Sequence, residues 1–273
     1  MKQDLTLRAI FLDWAGTTVD HGSMAPVLAL QTLFQRHGIR LSGEDARRDM
    51  GLLKRDQIHA ILARPNVRAD WRAVKGQEPV EDDTQSLFRE FGPLQLEIIA
   101  QYSQLLPGVT QTIAEWQQQG LRVGTSTGYT REMLAPVLAQ SIVNGYRPDA
   151  TVCPDEVAAG RPAPWMLLRN MELLDVYPPS CCVKIGDTIA DIQEGRNAGM
   201  WTIGLTRTGN LIGLDAAQWE ALPHDEQQMR LRDAGEILRR VDADFIAEDV
   251  PACAPLLALI DQKLANGECP AGL

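Results

Sequence analysis

The chain has 273 residues, 45% apolar and 23% charged, ordinary for a globular protein and enough for one large α/β domain or a core with a smaller companion. Its net charge of −10 argues against nucleic acid as a partner, so an anionic substrate must be held by local positive groups. No apolar run approaches the ~20 residues of a membrane helix, and no membrane partner is expected.

The opening Met1-Lys2-Gln3-Asp4 gives way to a strand within a few residues, without the basic-then-apolar pattern of a signal peptide. The expected location is the cytoplasm. In that reducing setting Cys153, Cys181, Cys182, Cys253 and Cys269, odd in number and without metal-ligand spacing, read as inert. Cys181-Cys182 reads as a pair of small packed residues.

The first element is an apolar strand over residues 7–12, which delivers Asp13 to its tip. The small-residue turn Ala15-Gly16-Thr17-Thr18 follows, suited to close approach by an anion. Ligands of open α/β sheets bind just past the carboxyl ends of the strands, although a lone Asp there also serves as a cap or turn residue. Ser23 reads as the N-cap of a helix with Pro26 near its start, running to Gly38. Helical patterns without a convincing strand continue to residue 101.

Beyond that block strands and helices alternate. Strands are expected at 121–126, 151–153, 182–185, 201–205 and 244–247, and helices at 110–119, 131–140 and 164–174. Pro107-Gly108 and Tyr177-Pro178-Pro179 mark loops. Continuous apolar strands separated by helices predict an α/β fold with a doubly wound parallel sheet. The helical block predicts an inserted cap, so that residues 1–21 and 102–273 form the core and residues 22–101 the cap.

A second carboxylate cluster lies in Lys184-Ile185-Gly186-Asp187-Thr188-Ile189-Ala190-Asp191. It again places an aspartate after an apolar strand and a glycine, and Asp191 shares the face of Asp187 if a helix starts there. Three carboxylates at neighbouring strand tips repel one another without a cation. Oxygen-only ligands suit Mg²⁺, which keeps several waters and is typically shared with a phosphate.

Asp13 with its glycine-threonine turn, Ser126-Thr127, Arg161 in Ala159-Gly160-Arg161-Pro162, and Gly186-Asp187-Thr188 with Asp191 resemble the four motifs of the haloacid dehalogenase superfamily. The match narrows. Asp13-Trp14-Ala15-Gly16-Thr17-Thr18-Val19-Asp20, Met50-Gly51-Leu52-Leu53-Lys54, Ser126 to Met133, Ala158 to Pro162 and Glu194 to Thr202 resemble, in order and over nearly the whole chain, the phosphonoacetaldehyde hydrolase (phosphonatase) family.

That resemblance implies cleavage of a small phosphonate. Asp13 is then the nucleophile that becomes an aspartyl phosphate, and Lys54 the lysine that forms a Schiff base with the aldehyde. Met50, Thr127, Gly128 and Arg161 are implied as substrate or phosphoryl contacts, with Ser126 the lesser choice beside Thr127. Asp13, the Ala15 carbonyl and Asp187 are implied as ligands of Mg²⁺, with Asp191 acting through water or orienting the others. A homodimer through the cap helices is implied as well.

Lys54 by itself would read as a solvated lysine, and Arg161 as a turn arginine. Lys184, inside a strand, reads as structural, and Tyr129 either lines the pocket or packs. Ala15 stands where superfamily phosphatases usually carry a second Asp, an acid useful for an alkoxide leaving group and not for an enamine.

One position departs from the family. Three residues after the lysine the family usually has a histidine, and this chain has Gln57, which hydrogen-bonds but accepts no proton at neutral pH. His59, at an otherwise apolar position, reads as packed. The departure leaves three outcomes: slower catalysis, proton transfer by water or Asp56, or a different carbonyl phosphonate or phosphorylated metabolite as substrate.

Overall fold

The computed structural model describes residues 6–270. Its six strands are β1 (Ala9–Leu12), β2 (Arg122–Ser126), β3 (Ala150–Val152), β4 (Cys182–Gly186), β5 (Trp201–Leu205) and β6 (Phe245–Ala247). They form one sheet in the order β3-β2-β1-β4-β5-β6, every pairing parallel. The doubly wound α/β sheet expected from the sequence is therefore present. Alternate residues of β1 enter two different apolar clusters, Ile10 and Leu12 on one face and Ala9 and Phe11 on the other. Burial on both faces is why these strands read as unbroken apolar runs.

The order of strands reverses at β1, which has β2 on one side and β4 on the other. Leu12 is level with Thr125 and with Ile185, so Asp13, Ser126 and Gly186 stand side by side at the carboxyl edge. The chain thus brings its quoted motifs to the switch point of the sheet, where such folds bind ligands.

Between β1 and Gly108 the described residues contain helices and no strand: α1 (Met24–Arg36), α2 (Gly43–Arg47), α3 (Lys54–Ala63), α4 (Pro65–Lys75) and α5 (Glu81–Tyr102). Leu30, Leu33 and Phe34 of α1 share an apolar cluster with Leu87, Phe91 and Leu94 of α5. The two connectors to this block run side by side. Leu106 N donates to Thr18 O at 2.9 Å and Asp20 N to Gln104 O at 3.3 Å. Seven further α-helices lie among the described residues, α6 (Val109–Gln119), α7 (Arg131–Val143), α8 (Trp165–Leu174), α9 (Ile189–Asn197), α10 (Ala216–Glu220), α11 (His224–Arg240) and α12 (Ala254–Ala265).

Three local expectations change. Ser23 precedes α1 but does not cap it with its side chain; its φ of 50° is left-handed. The Asp20 carboxylate accepts from Met24 N and Ala25 N instead, at 2.9 and 3.0 Å, leaving the Ser23 hydroxyl to donate to Asp187 Oδ2 at 3.4 Å. His59 is exposed, its Nδ1 3.4 Å from Glu81. The buried face of α3 is Lys54, Gln57, Ile58, Ile61 and Leu62, a spacing of three and four that leaves position 59 outside. Of the cysteine pair, Cys182 packs in an apolar cluster while Cys181 is only half-buried.

Candidate active site

Asp13 leaves β1 with its N–H donating to Ile185 O at 3.1 Å, and the next residues fold into a compact turn on the Trp14 carbonyl. Gly16 holds a φ of +84°, and a Cβ there would lie 2.3 Å from Asp187 Oδ2, so only glycine lets the turn pass over that carboxylate. Asp187 follows β4 and is fixed from three directions. The Thr17 hydroxyl donates to Oδ1 at 2.9 Å, and Asn210 N and the Ser23 hydroxyl donate to Oδ2 at 2.7 and 3.4 Å. Asp191 sits in the first turn of α9, where Thr188 caps the helix and donates to Asp191 Oδ2 at 2.6 Å.

Arg161, on the loop between β3 and α8, ties the cluster together. Its Nη2 donates to Asp13 Oδ1 and to Ser126 Oγ, each at 2.9 Å, and Nε donates to Glu194 Oε2 at 2.9 Å. Nη1 lies 3.0 Å from Asp191 Oδ1, close enough for charge attraction but without the alignment of a hydrogen bond. From within β4, the buried Lys184 reaches the same carboxylate at 2.9 Å and Glu194 at 3.4 Å. Ser126 is engaged by Arg161, Lys184 and Glu194. Thr127, whose oxygen accepts from Tyr129 N at 3.1 Å, lines the cavity instead.

One oxygen from each of Asp13, Asp187 and Asp191 lies within 4.8 Å of the others. At that spacing each like-charged pair repels by about 3 kcal/mol at an effective dielectric of roughly 20. With Glu194 the cluster holds four buried carboxylates against the buried cations Arg161 and Lys184, leaving two negative charges. Burial first, then Asp13 and Asp191, pushes the Asp187 carboxyl well above its ordinary range. Burial also opposes ionisation of Asp191, but Arg161 and Lys184 outweigh it and hold that group low. A divalent cation beside Asp13 and Asp187 satisfies both the charge and the all-oxygen donor set.

Over this edge stands Lys54, the first residue of α3, buried to 1% exposure. Its Nζ donates to Gln57 Oε1 at 2.7 Å, lies 3.4 Å from Met50 Sδ and is 5.8 Å from the centre of the Tyr129 ring. Burial, only partly opposed by Asp13, brings the amine down to about 7. Asp13, Ala15, Met50, Lys54, Thr127, Gly128 and Arg161 all line one cavity of about 20 Å³, room for a single water. A Cβ on Gly128 would lie 2.6 Å from Leu52 O, so that glycine is what lets the segment carrying Lys54 approach the core.

The residues that the family resemblance implied as catalytic, substrate-binding or metal-ligating are therefore drawn to one place, seven of them lining that cavity and Asp187 and Asp191 beside Asp13. Asp56 is not; it is exposed beside Arg55, 3.3 Å away, which removes it as a proton acceptor at the amine. Reasoning from sequence missed Glu194, Thr17, Ser23 and Asn210. Glu194 had a readable signal, since it lies three residues after Asp191 on the same helix face.

The family profile of haloacid dehalogenase-like hydrolases matches residues 7–199. A phosphonoacetaldehyde hydrolase of Syntrophobacter fumaroxidans is 41% identical over 264 residues, covering 97% of this chain and 95% of its own length. A phosphonoacetaldehyde hydrolase-like protein of the same organism is 40% identical over the same shares of both chains. The crystal structure of a phosphonoacetaldehyde hydrolase-like protein from Oleispira antarctica superposes with a TM-score of 0.96 at 39% identity, covering 97% of this chain and 96% of that one. With this fold, this strand-edge site and these relatives, the chain is a hydrolase and belongs to the phosphonoacetaldehyde hydrolase family of the haloacid dehalogenase-like hydrolases.

Proposed function

We propose that the protein hydrolyses the C–P bond of phosphonoacetaldehyde to acetaldehyde and phosphate, through an imine on Lys54 and a phosphoenzyme on Asp13. The observation that carries this reading is Lys54 itself: a buried amine brought down to about 7, lining the same small cavity as Asp13. Attack at phosphorus alone would expel a carbanion. The neutral Lys54 amine adds to the aldehyde carbon, and the resulting carbinolamine takes up a proton and loses water, giving an iminium. An Asp13 oxygen then forms a bond to phosphorus while the C–P electron pair moves into the iminium, leaving an enamine. Protonation of the enamine at carbon and addition of water release acetaldehyde and restore Lys54. A second water cleaves the aspartyl phosphate and restores Asp13.

Asp13, the Ala15 carbonyl and Asp187 would hold Mg²⁺, with Asp191 acting behind them because Arg161 and Lys184 already crowd its free oxygen. The cation would offset charge on the phosphoryl oxygens and on the attacking carboxylate. Arg161 and the Thr127 hydroxyl bind phosphoryl oxygens, and Met50 and Gly128 close the pocket around the aldehyde. Residues 22–101 act as a cap on the core of residues 1–21 and 102–273. A cavity for one water admits no substrate, so the cap opens for binding and closes to keep water from both covalent intermediates. We also infer a cytoplasmic homodimer joined through the cap helices, on the family resemblance and on the absence, among the described residues, of a helix able to cross a membrane.

The amine sets a pH dependence. Below about 7 Lys54 carries a proton and cannot attack, so imine trapping should fall roughly tenfold per pH unit on the acid side and level off above it. Trapping with cyanoborohydride across pH 5–9 reads this directly. A rate that keeps climbing past pH 9 would mean the amine is not lowered.

Gln57 favours a second reading, a related hydrolase of another carbonyl phosphonate or a phosphorylated metabolite. Its side chain is fully buried and committed, donating to Ala46 O at 2.8 Å while accepting from Lys54. It orients the amine but accepts no proton. Gln57→His should raise acetaldehyde release at least about tenfold if the missing proton acceptor limits the rate. An unchanged rate assigns the proton to water, and a shift toward other phosphonates in the wild-type chain supports the second reading.

A further inference from the structure

A run of hydrogen bonds, joined through the backbone between Ala46 and Arg47, leads from the carboxylate of Asp187 to the amine of Lys54. Asp187 Oδ2 accepts from the main-chain N–H of Asn210 at 2.7 Å. The Asn210 side chain faces Arg47, the last residue of α2: its amide donates to the Arg47 carbonyl at 3.2 Å, and its oxygen accepts from the guanidinium at 3.3 Å. One residue earlier in the chain, Ala46 O accepts from Gln57 Nε2 at 2.8 Å, and Gln57 Oε1 accepts from Lys54 Nζ at 2.7 Å.

Arg47 also fastens the helical block to the core. Its guanidinium donates to Gly22 O on the outgoing connector at 2.6 Å and to Gly213 O on the core loop at 3.1 Å. A Cβ on Gly213 would lie 2.7 Å from Arg47 Nε, so the loop after β5 is shaped around this side chain. The bonds among Ala46, Gln57 and Lys54 stay within the helical block when it lifts. Those of Arg47 to Gly213 and Asn210 cross to the core and must break.

We propose that Arg47 and Asn210 are positioning residues that tie closure of the cap, and with it the seating of Lys54, to a cation at Asp187. The inference rests on the metal reading given above. A cation fixes the Asp187 carboxylate, the carboxylate fixes the Asn210 main chain, and the Asn210 side chain then presents ordered partners to Arg47. Because the coupling is reciprocal, closure strengthens cation binding by the factor by which the cation strengthens closure.

The test uses Mn²⁺ as the cation, its affinity read by electron paramagnetic resonance, and acylation of Lys54 by an amine-directed reagent read by peptide mass spectrometry. In the wild-type chain Mn²⁺ should slow Lys54 acylation on the order of tenfold. In Arg47→Ala and in Asn210→Ala that protection should shrink to less than about twofold, and Mn²⁺ affinity should weaken by a comparable factor. Arg47→Lys, which keeps a donor, should recover part of both. Asn210→Ala keeps the main-chain donor to Asp187 and carries the test if Arg47→Ala fails to fold. Full protection and unchanged affinity in a folded variant overturn the proposal. Mn²⁺ binding without protection of Lys54 in the wild-type chain overturns the coupling alone, whereas no Mn²⁺ binding at all sinks the metal reading beneath it.

Discussion

Asp13→Asn should abolish turnover, lowering acetaldehyde release on the order of 10⁴-fold or more, while the protein stays folded. The carboxamide matches the carboxylate in shape and is a very poor nucleophile toward phosphorus. Folding survives because the change removes one charge from a cluster with two too many. The Arg161 guanidinium keeps Asp191, Glu194 and Ser126 when Asp13 is neutralised. The melting temperature should therefore hold or rise in metal-free buffer, where carboxylate repulsion is uncompensated. Imine formation does not need the nucleophile, so Lys54 should still be trapped by borohydride in this variant. Trapping with no acetaldehyde release separates the two halves of the reaction, and normal turnover in Asp13→Asn would remove Asp13 from its role.

Lys54→Arg should eliminate both signals. A guanidinium forms no imine and stays protonated at any pH used, so neither borohydride adduct nor C–P cleavage should remain, a loss again on the order of 10⁴-fold. Arginine is larger than the lysine it replaces and enters a cavity of about 20 Å³ beside Arg161, so part of its effect is steric and electrostatic. Lys54→Met, which keeps the length of the stem and drops the charge, controls for this. It should also be inactive, and it should fold well, since it relieves the chain of a buried amine. Turnover surviving in Lys54→Met would mean the C–P bond breaks without an imine.

The core of this architecture was legible because its signals are local. An apolar run with a carboxylate at its end says strand and strand tip together, and two such runs read as neighbours once the sheet is taken as parallel. The ends were less legible: β3 and β6 are three residues long, and pairing with β2 and β5 rather than composition sets where they stop. Lys54 was a different case. Nothing in Leu52-Leu53-Lys54-Arg55 says that the lysine rather than the arginine turns inward, and only the family resemblance placed it at the site. Ser23, which holds the N-cap position of α1 without capping it by its side chain, and His59, which does not pack, departed from expectation for a shared reason, since each was read from its immediate neighbours. A left-handed backbone turned Ser23 toward Asp187, and the register of the buried face of α3 turned His59 outward. Asn210 and Arg47 were invisible because polar residues in loops and at helix ends acquire meaning only from what lies across from them.

The most direct test is incubation of the purified protein with Mg²⁺ and phosphonoacetaldehyde in the presence of borohydride, followed by peptide mass spectrometry, beside an assay of acetaldehyde release without reductant. Imine-assisted C–P cleavage predicts a reduced two-carbon adduct on Lys54 and release of acetaldehyde with phosphate. Acetaldehyde release with no adduct on Lys54, or a folded protein that shows neither signal, would contradict it.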